Sequence, residues 1–161
     1  MGNRSAHVLS LREQAKRIRA AWPSLDVEEG TNTLVVRGDI QPTPLTDTYT
    51  VRIEYKIGRL PRAYVETPKL TARDGARSIP HVYKDPEFRP CIFYPDGKQW
   101  ANHRSLARTI IPWLALWLYY YELWHATGEW CGGGAEHGSI NSTTDPKPAT
   151  AETSAADRDN S

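Results

Sequence analysis

The stretch from Ile110 to Trp124 (IIPWLALWLYYYELW) constrains this chain more than any other. Only Pro112 and Glu122 interrupt fifteen residues of aliphatic and aromatic side chains. A membrane-spanning helix needs about twenty apolar residues, so the segment has to be covered by the rest of the fold or by a partner. From Ser105 to Thr127 its character is helical, with Pro112 either in a first turn or kinking the helix, and with Gly128 ending it. With 161 residues the chain is one domain long and can bury a real core without a disulfide or metal. Six tryptophans and eight tyrosines stand against two phenylalanines, and most of them fall between Trp100 and Trp130.

Charge and cysteine usage narrow the class further. Twenty basic and nineteen acidic side chains leave +1, and the aromatic run has no interleaved arginines, so no nucleic-acid partner is expected. Two cysteines, Cys91 and Cys131, are too few for a disulfide framework, and the N-terminus has no signal-peptide pattern. The expectation is a soluble, cytoplasmic protein with free thiols and no membrane partner. Residues 135–161 contain one large aliphatic, Ile140, and no aromatic. Such a composition cannot offset the entropy of ordering, and it predicts a disordered polar tail behind a folded domain of residues 1–134. The tail's charge is −3, which leaves +4 on the domain.

Periodicity places the elements. Val8, Leu11, Ala15, Ile18 and Trp22 form one apolar stripe of an amphipathic helix that Pro23 stops, with Arg12, Lys16, Arg17 and Arg19 on the wet side. Thr33 to Arg37 reads as a short β-branched strand. Tyr49, Val51, Ile53 and Tyr55 alternate with polar residues as a half-buried strand, and Arg62 to Glu66 is a third. Between Leu70 and Ala101 the periodicity disappears, and Pro80, Pro86, Pro90 and Pro95 break the chain into a long shaped loop with at most one short strand near Cys91. The order of helix, antiparallel strand meander, irregular loop and aromatic helix is that of an α+β domain.

Few residues in this frame can carry chemistry. His125, Cys131 and His137 lack the close pairing of a zinc site, and no metal or cofactor is expected. No nucleophile elbow supports a serine hydrolase. Gly132 to Gly134 is followed by neither lysine nor helix, so it reads as a flexible exit from the body rather than a phosphate loop. Cys91 is set apart by its place in Phe88-Arg89-Pro90-Cys91-Ile92, within the irregular segment. A reactive thiol needs some exposure and electropositive help, for which Arg89, Lys98, His81 and His103 are candidates.

The order of landmarks around Cys91 resembles that of ubiquitin-conjugating enzymes. Asp39-Ile40-Gln41-Pro42-Thr43-Pro44-Leu45, between the first two predicted strands, is similar to that family's Gly-Pro-x-x-Thr-Pro-Tyr turn. Arg59 to Val65 sits where the family enters its third strand. Pro80-His81-Val82-Tyr83 falls at the His-Pro-Asn position, with Cys91 ten residues after His81 and Trp100 nine after Cys91. More narrowly, His-x-Tyr, the proline-flanked Cys-x-x-Tyr-Pro, Ser105 to Trp113 and Tyr121 to Gly134 resemble the stand-alone conjugating-enzyme-like proteins of short type II CBASS antiphage operons. The resemblance covers roughly residues 5 to 127 and implies a UBC-like fold.

The resemblance also implies a cysteine-dependent, protein-conjugating acyl transferase. Cys91 would take the C-terminus of a partner, a cGAS/DncV-like nucleotidyltransferase, as a thioester and pass it to a lysine amine. Thioesters suit such a carrier because the thiolate leaves readily to an amine. Activation of the donor would need an ATP-dependent enzyme from elsewhere. The family's oxyanion asparagine is replaced by Tyr83, whose hydroxyl is one candidate substitute, with Asn102, His103 and backbone N–H groups as the others. His81 fits a structural role in tying its loop to backbone. Asp85, Glu87 and Asp96 could assist the amine or simply cap turns. The rival expectation is an inactive UBC-like module that scaffolds the nucleotidyltransferase.

Overall fold

The computed structural model describes residues 6–94 and 98–133. Expectations for Pro95, Asp96, Gly134, His137 and the tail from residue 135 lie outside those residues. The described chain is α+β: a four-stranded antiparallel sheet in the order β1-β2-β3-β4, two α-helices, and a 3-10 turn at Leu106–Arg108.

Helix α1 (Leu11–Ala21) begins at a capping box, where Ser10 Oγ accepts the Glu13 N–H and the Glu13 carboxylate accepts the Ser10 N–H. That exchange satisfies two otherwise orphaned donors and starts the helix three residues after Val8, which is exposed and outside the stripe expected for it. Ala15 and Ile18 are fully buried, while Arg12, Lys16 and Arg17 face solvent. Trp22 closes the helix and donates its indole N–H to the Ala107 carbonyl at 2.9 Å.

Strand β1 (Asp26–Glu29) was not expected. Its sequence DVEE has no apolar alternation, and it is a strand because all four residues pair with β2 (Thr33–Ile40). Strand β2 also runs past Gly38, where the strand expected at Thr33 to Arg37 was to end. Gly38 has φ +148°, and a Cβ there would lie 2.8 Å from Leu25 Cδ2, so only glycine lets Leu25 reach the core. The inner face of the sheet carries Leu34, Val36 and Ile40 of β2, Tyr49 to Tyr55 at alternate positions of β3 (Tyr49–Lys56), and Ala63 and Val65 of β4 (Arg62–Thr67). The turn at 39–45 lies between β2 and β3, one strand later than expected because of β1.

Helix α2 (Ile110–Thr127) follows the 3-10 turn. Pro112 is its third residue, where its missing N–H would have had no partner within the helix, so the helix does not kink there. Ile110, Ile111, Leu114 and Leu118 have no exposed surface, and burying each stabilises the fold by roughly 1.5–3 kcal/mol. Leu116 and Tyr119 remain exposed, so the helix has an open side after all. None of the described helices is long and apolar enough to cross a membrane.

One buried polar side chain joins α1 to the approach to α2. Gln14 has no exposed surface; its amide N–H donates to the Arg104 carbonyl at 2.8 Å and its carbonyl accepts the Leu106 N–H at 2.9 Å. Replacing Gln14 with leucine would leave the buried Leu106 N–H and the part-buried Arg104 carbonyl without these partners, at about 1–3 kcal/mol each at most. Gln14→Leu should lower the unfolding free energy by roughly 2–5 kcal/mol, read from the urea midpoint at unchanged slope.

Candidate active site

The segment 81–91 folds into a small hairpin-like excursion even though its sequence offers no strand period. The Cys91 N–H donates to the His81 carbonyl at 2.8 Å, the Tyr83 N–H to the Arg89 carbonyl at 2.9 Å, and Val82 and Pro90 form an isolated bridge between these bonds. Asp85 shapes the tip: Oδ1 accepts the Glu87 and Arg89 N–H groups, and Oδ2 accepts Arg89 Nε at 2.6 Å. Burial would raise its carboxyl, but the hydrogen bonds and charge of Arg89 outweigh that and hold it below the usual range. Two non-glycine residues, His81 (φ 51°) and Phe88 (φ 47°), sit in the left-handed region, at a cost of about 1–2 kcal/mol each.

The excursion is fastened on two sides. On the outer face of the sheet, the Tyr64 ring lies under the Arg52 guanidinium at 3.9 Å and within 5.9 Å of Arg89, which also covers Tyr83 at 4.6 Å. Arg52 pairs with Glu54 and Glu66 on the sheet and with Glu87 on the loop. On the other side α2 supplies polar atoms from its aromatic rings. Trp117 Nε1–H donates to the His81 carbonyl at 3.0 Å, and Tyr121 Oη both accepts the Thr71 N–H at 2.9 Å and donates to the Thr71 carbonyl at 3.0 Å. His125 Nε2 also lies 3.0 Å from that carbonyl.

Cys91 lines a cleft of about 650 Å³ together with Phe93, Trp113, Tyr120 and Trp130, among others. Only 5 % of the residue is exposed. A larger cleft, about 1010 Å³, opens on the far side against Tyr83, Arg89 and the turn between β3 and β4. Ile92 and Phe93 border both. Burial pushes the Cys91 thiol up; the Tyr83 hydroxyl bonded to it, the Arg89 charge and a backbone hydrogen bond at Phe93 pull the other way without cancelling the burial. Burial, together with the charge on Cys91 and the bond to it, pushes Tyr83 up to about 12. Tyr83 therefore stays a hydrogen-bond donor across the neutral range.

The residues singled out in the sequence divide accordingly. Cys91, His81 and Tyr83 come together, with Tyr83 contributing its hydroxyl and His81 its main-chain carbonyl. Lys98 lines the cleft and Arg89 flanks it, whereas His103 is exposed and neither it nor Asn102 belongs to the lining. Asp85 and Glu87 are engaged by Arg89 and Arg52. Trp100 packs edge-on against Tyr55 in the core. Trp130, read in the sequence only as part of the Tyr121 to Gly134 resemblance, and Arg104, which did not stand out, also line the cleft. No local pattern places either of them there.

A family model described as "Type II CBASS E2 protein" matches residues 14–138, from the first turns of α1 to beyond α2 and across the whole Cys91 region. The chain belongs to the type II CBASS E2 family. No curated protein matches it. At Cys91 burial pushes the thiol up while the Tyr83 hydroxyl and the Arg89 charge pull it down. Tyr83→Phe removes the donor that favours the thiolate, so the Cys91 pKa rises further and less thiolate is present at any given pH. In a Cys131→Ser background, iodoacetamide alkylation of Cys91 should therefore shift its pH midpoint to higher pH in Tyr83→Phe. Arg89→Gln should shift it in the same direction.

Proposed function

We propose that Cys91 is the acyl-carrying nucleophile of a UBC-like conjugating protein in a type II CBASS system. It would accept the C-terminus of an operon partner, a cGAS/DncV-like nucleotidyltransferase, as a thioester and release it to an amine. The observation that carries this reading is that Cys91 lines a cleft and the Tyr83 hydroxyl is hydrogen-bonded to its sulfur. In the reaction the thiolate attacks the activated donor carbonyl, and the donor's leaving group departs with the electron pair of the broken bond. The amine then attacks the Cys91 thioester carbonyl and the sulfur leaves as thiolate.

In the sequence Tyr83 falls at the position of the conjugating enzymes' asparagine, and its hydroxyl would supply a donor for the negative charge that builds on the carbonyl oxygen. A lost oxyanion donor costs other enzymes about 2.7–4 kcal/mol. His81 acts through its backbone, setting the position of Cys91. Activation of the donor carboxylate falls to an ATP-dependent enzyme outside this chain.

The burial of Cys91, at 5 % exposure, favours a second reading: a UBC-like module that holds the nucleotidyltransferase without covalent chemistry. One experiment separates the two. Co-expressed with the nucleotidyltransferase and an ATP-dependent activating enzyme, the protein should give an adduct with the summed mass of the two chains less one water. Thiols should cleave it, Cys91→Ala should abolish it, and Cys91→Ser should convert it to a thiol-resistant ester. A stable non-covalent complex with no adduct, and antiphage function intact in Cys91→Ala, would establish the module instead.

A further inference from the structure

The chain beyond α2 returns to the Cys91 cleft and packs there through a ring. After Gly128 the backbone turns back, and the Trp130 ring lies 5.0 Å from His81, 5.5 Å from Trp117 and 6.2 Å from Tyr120 between centroids. Two of those partners meet at the atom that positions the thiol, since the His81 carbonyl accepts both the Cys91 N–H and Trp117 Nε1–H. Gly132 makes the return possible. A Cβ there would lie 2.6 Å from the Tyr120 ring and 2.9 Å from Trp130 Nε1, closer than side chains pack. The glycine run expected to be a flexible exit is therefore, at Gly132, a packing position, and Gly133 lines the same cleft as Cys91 and Trp130.

This return segment and the loop it touches are fastened differently. The 81–91 loop is tied to the sheet by the Arg52–Glu87 ion pair and to α2 by the Trp117 hydrogen bond. The hydrogen bonds of Glu129 and Cys131 stay local, to Thr127 Oγ1 and to the Glu129 carbonyl, and the hold of the segment on His81, Trp117 and Tyr120 is ring packing. Trp130 Nε1 is buried there with no hydrogen-bond partner among the described residues. A buried indole N–H ordinarily finds one, so the packed position forgoes a bond that water would supply on opening. Covers that open to admit substrate are drawn from such weakly tied segments. Cys91 is almost fully buried, and an acyl donor has to bring its carbonyl into contact with the sulfur.

We infer that residues 128–133 form a strap, pinned by Trp130, that closes one side of the Cys91 cleft and has to leave His81, Trp117 and Tyr120 before an acyl donor reaches the sulfur. Its use in acyl transfer rests on the thioester reading above. Its opening is read on the thiol itself and needs no donor. Trp130 is then a positioning residue, acting on Cys91 through access and through His81, apart from the chemistry at Cys91 and Tyr83.

Two thiol reagents of different size test this in the Cys131→Ser protein. With iodoacetamide, the smaller, the Cys91 thiolate displaces iodide from carbon. With fluorescein maleimide, the bulkier, it adds to the carbon–carbon double bond and water supplies the proton. Trp130→Ala removes the ring contacts and should raise the maleimide rate about tenfold by favouring the open form, and the iodoacetamide rate by less. Trp130→Phe keeps a ring and should stay near the parent. Gly132→Ala, whose Cβ has no room against Tyr120, opens the strap by a separate route and should give the same size-dependent gain. Because burial is what pushes the Cys91 thiol up, both opening variants should move the iodoacetamide midpoint to lower pH, the reverse of Tyr83→Phe.

Parent rates in both Trp130→Ala and Gly132→Ala would overturn the strap. So would a gain equal for the two reagents and matched by a lower urea midpoint, which is the signature of general unfolding. The size-dependent gain, in a protein that forms no thiol-cleavable adduct with the nucleotidyltransferase, would establish the strap and remove the thioester reading. An adduct beside unchanged alkylation rates would do the reverse.

Discussion

The carbonyl of His81 accepts two hydrogen bonds, one from the Cys91 N–H within its own loop and one from Trp117 Nε1 on α2. Everything at the site hangs from that atom. A segment without helix or strand still has to pair its buried backbone groups, and here ring atoms of α2, such as Trp117 Nε1 36 residues on, supply part of that pairing. Tyr121 performs the same service at Thr71, as does Trp22 at Ala107. The preference for tryptophan and tyrosine over phenylalanine thus has a physical account. Each of these rings buries apolar area and also carries one polar atom to a main-chain carbonyl or amide.

Burial and reactivity oppose each other at Cys91. Taking the sulfur out of water raises its pKa, and the Tyr83 hydroxyl and Arg89 charge recover part of the loss. Arg89 can do this because Asp85 and the flanking tyrosine rings fix it in place. The outer face of β3 and β4, which the alternating pattern marks only as wet, is therefore part of the site's support. A thiol so enclosed is shielded from water, and in the proposed reaction the same enclosure would protect a thioester from hydrolysis.

The sequence was legible where a period or a punctuation residue repeats a local rule. The α1 stripe through Leu11, Ala15 and Ile18, the alternation of β3, and the stop at Gly128 are all set by contacts a few residues apart, and all are found. Strand β1 was invisible because DVEE forms a strand only through the partner it meets. Nothing in the spacing singles out Gln14, whose partners lie about ninety residues on, at Arg104 and Leu106. At the site, the order of His81, Tyr83 and Cys91 was readable along the chain. That Trp130 and Arg104 line the cleft was not, because Trp130 was legible only as part of a matching stretch and Arg104 not at all.

By itself the sequence determined the α+β order of elements, the need to cover the aromatic helix, and Cys91 as the residue around which chemistry would be sought. These follow from near-neighbour periodicity and from the composition of one segment. Only the tertiary structure decided that Tyr83 rather than Asn102 or His103 meets the sulfur, that α2 keeps an open side, and that Gly132 packs instead of flexing. Those outcomes depend on which distant surfaces are pressed together, and side chains brought within hydrogen-bond reach by folding leave no spacing rule in the chain that carries them.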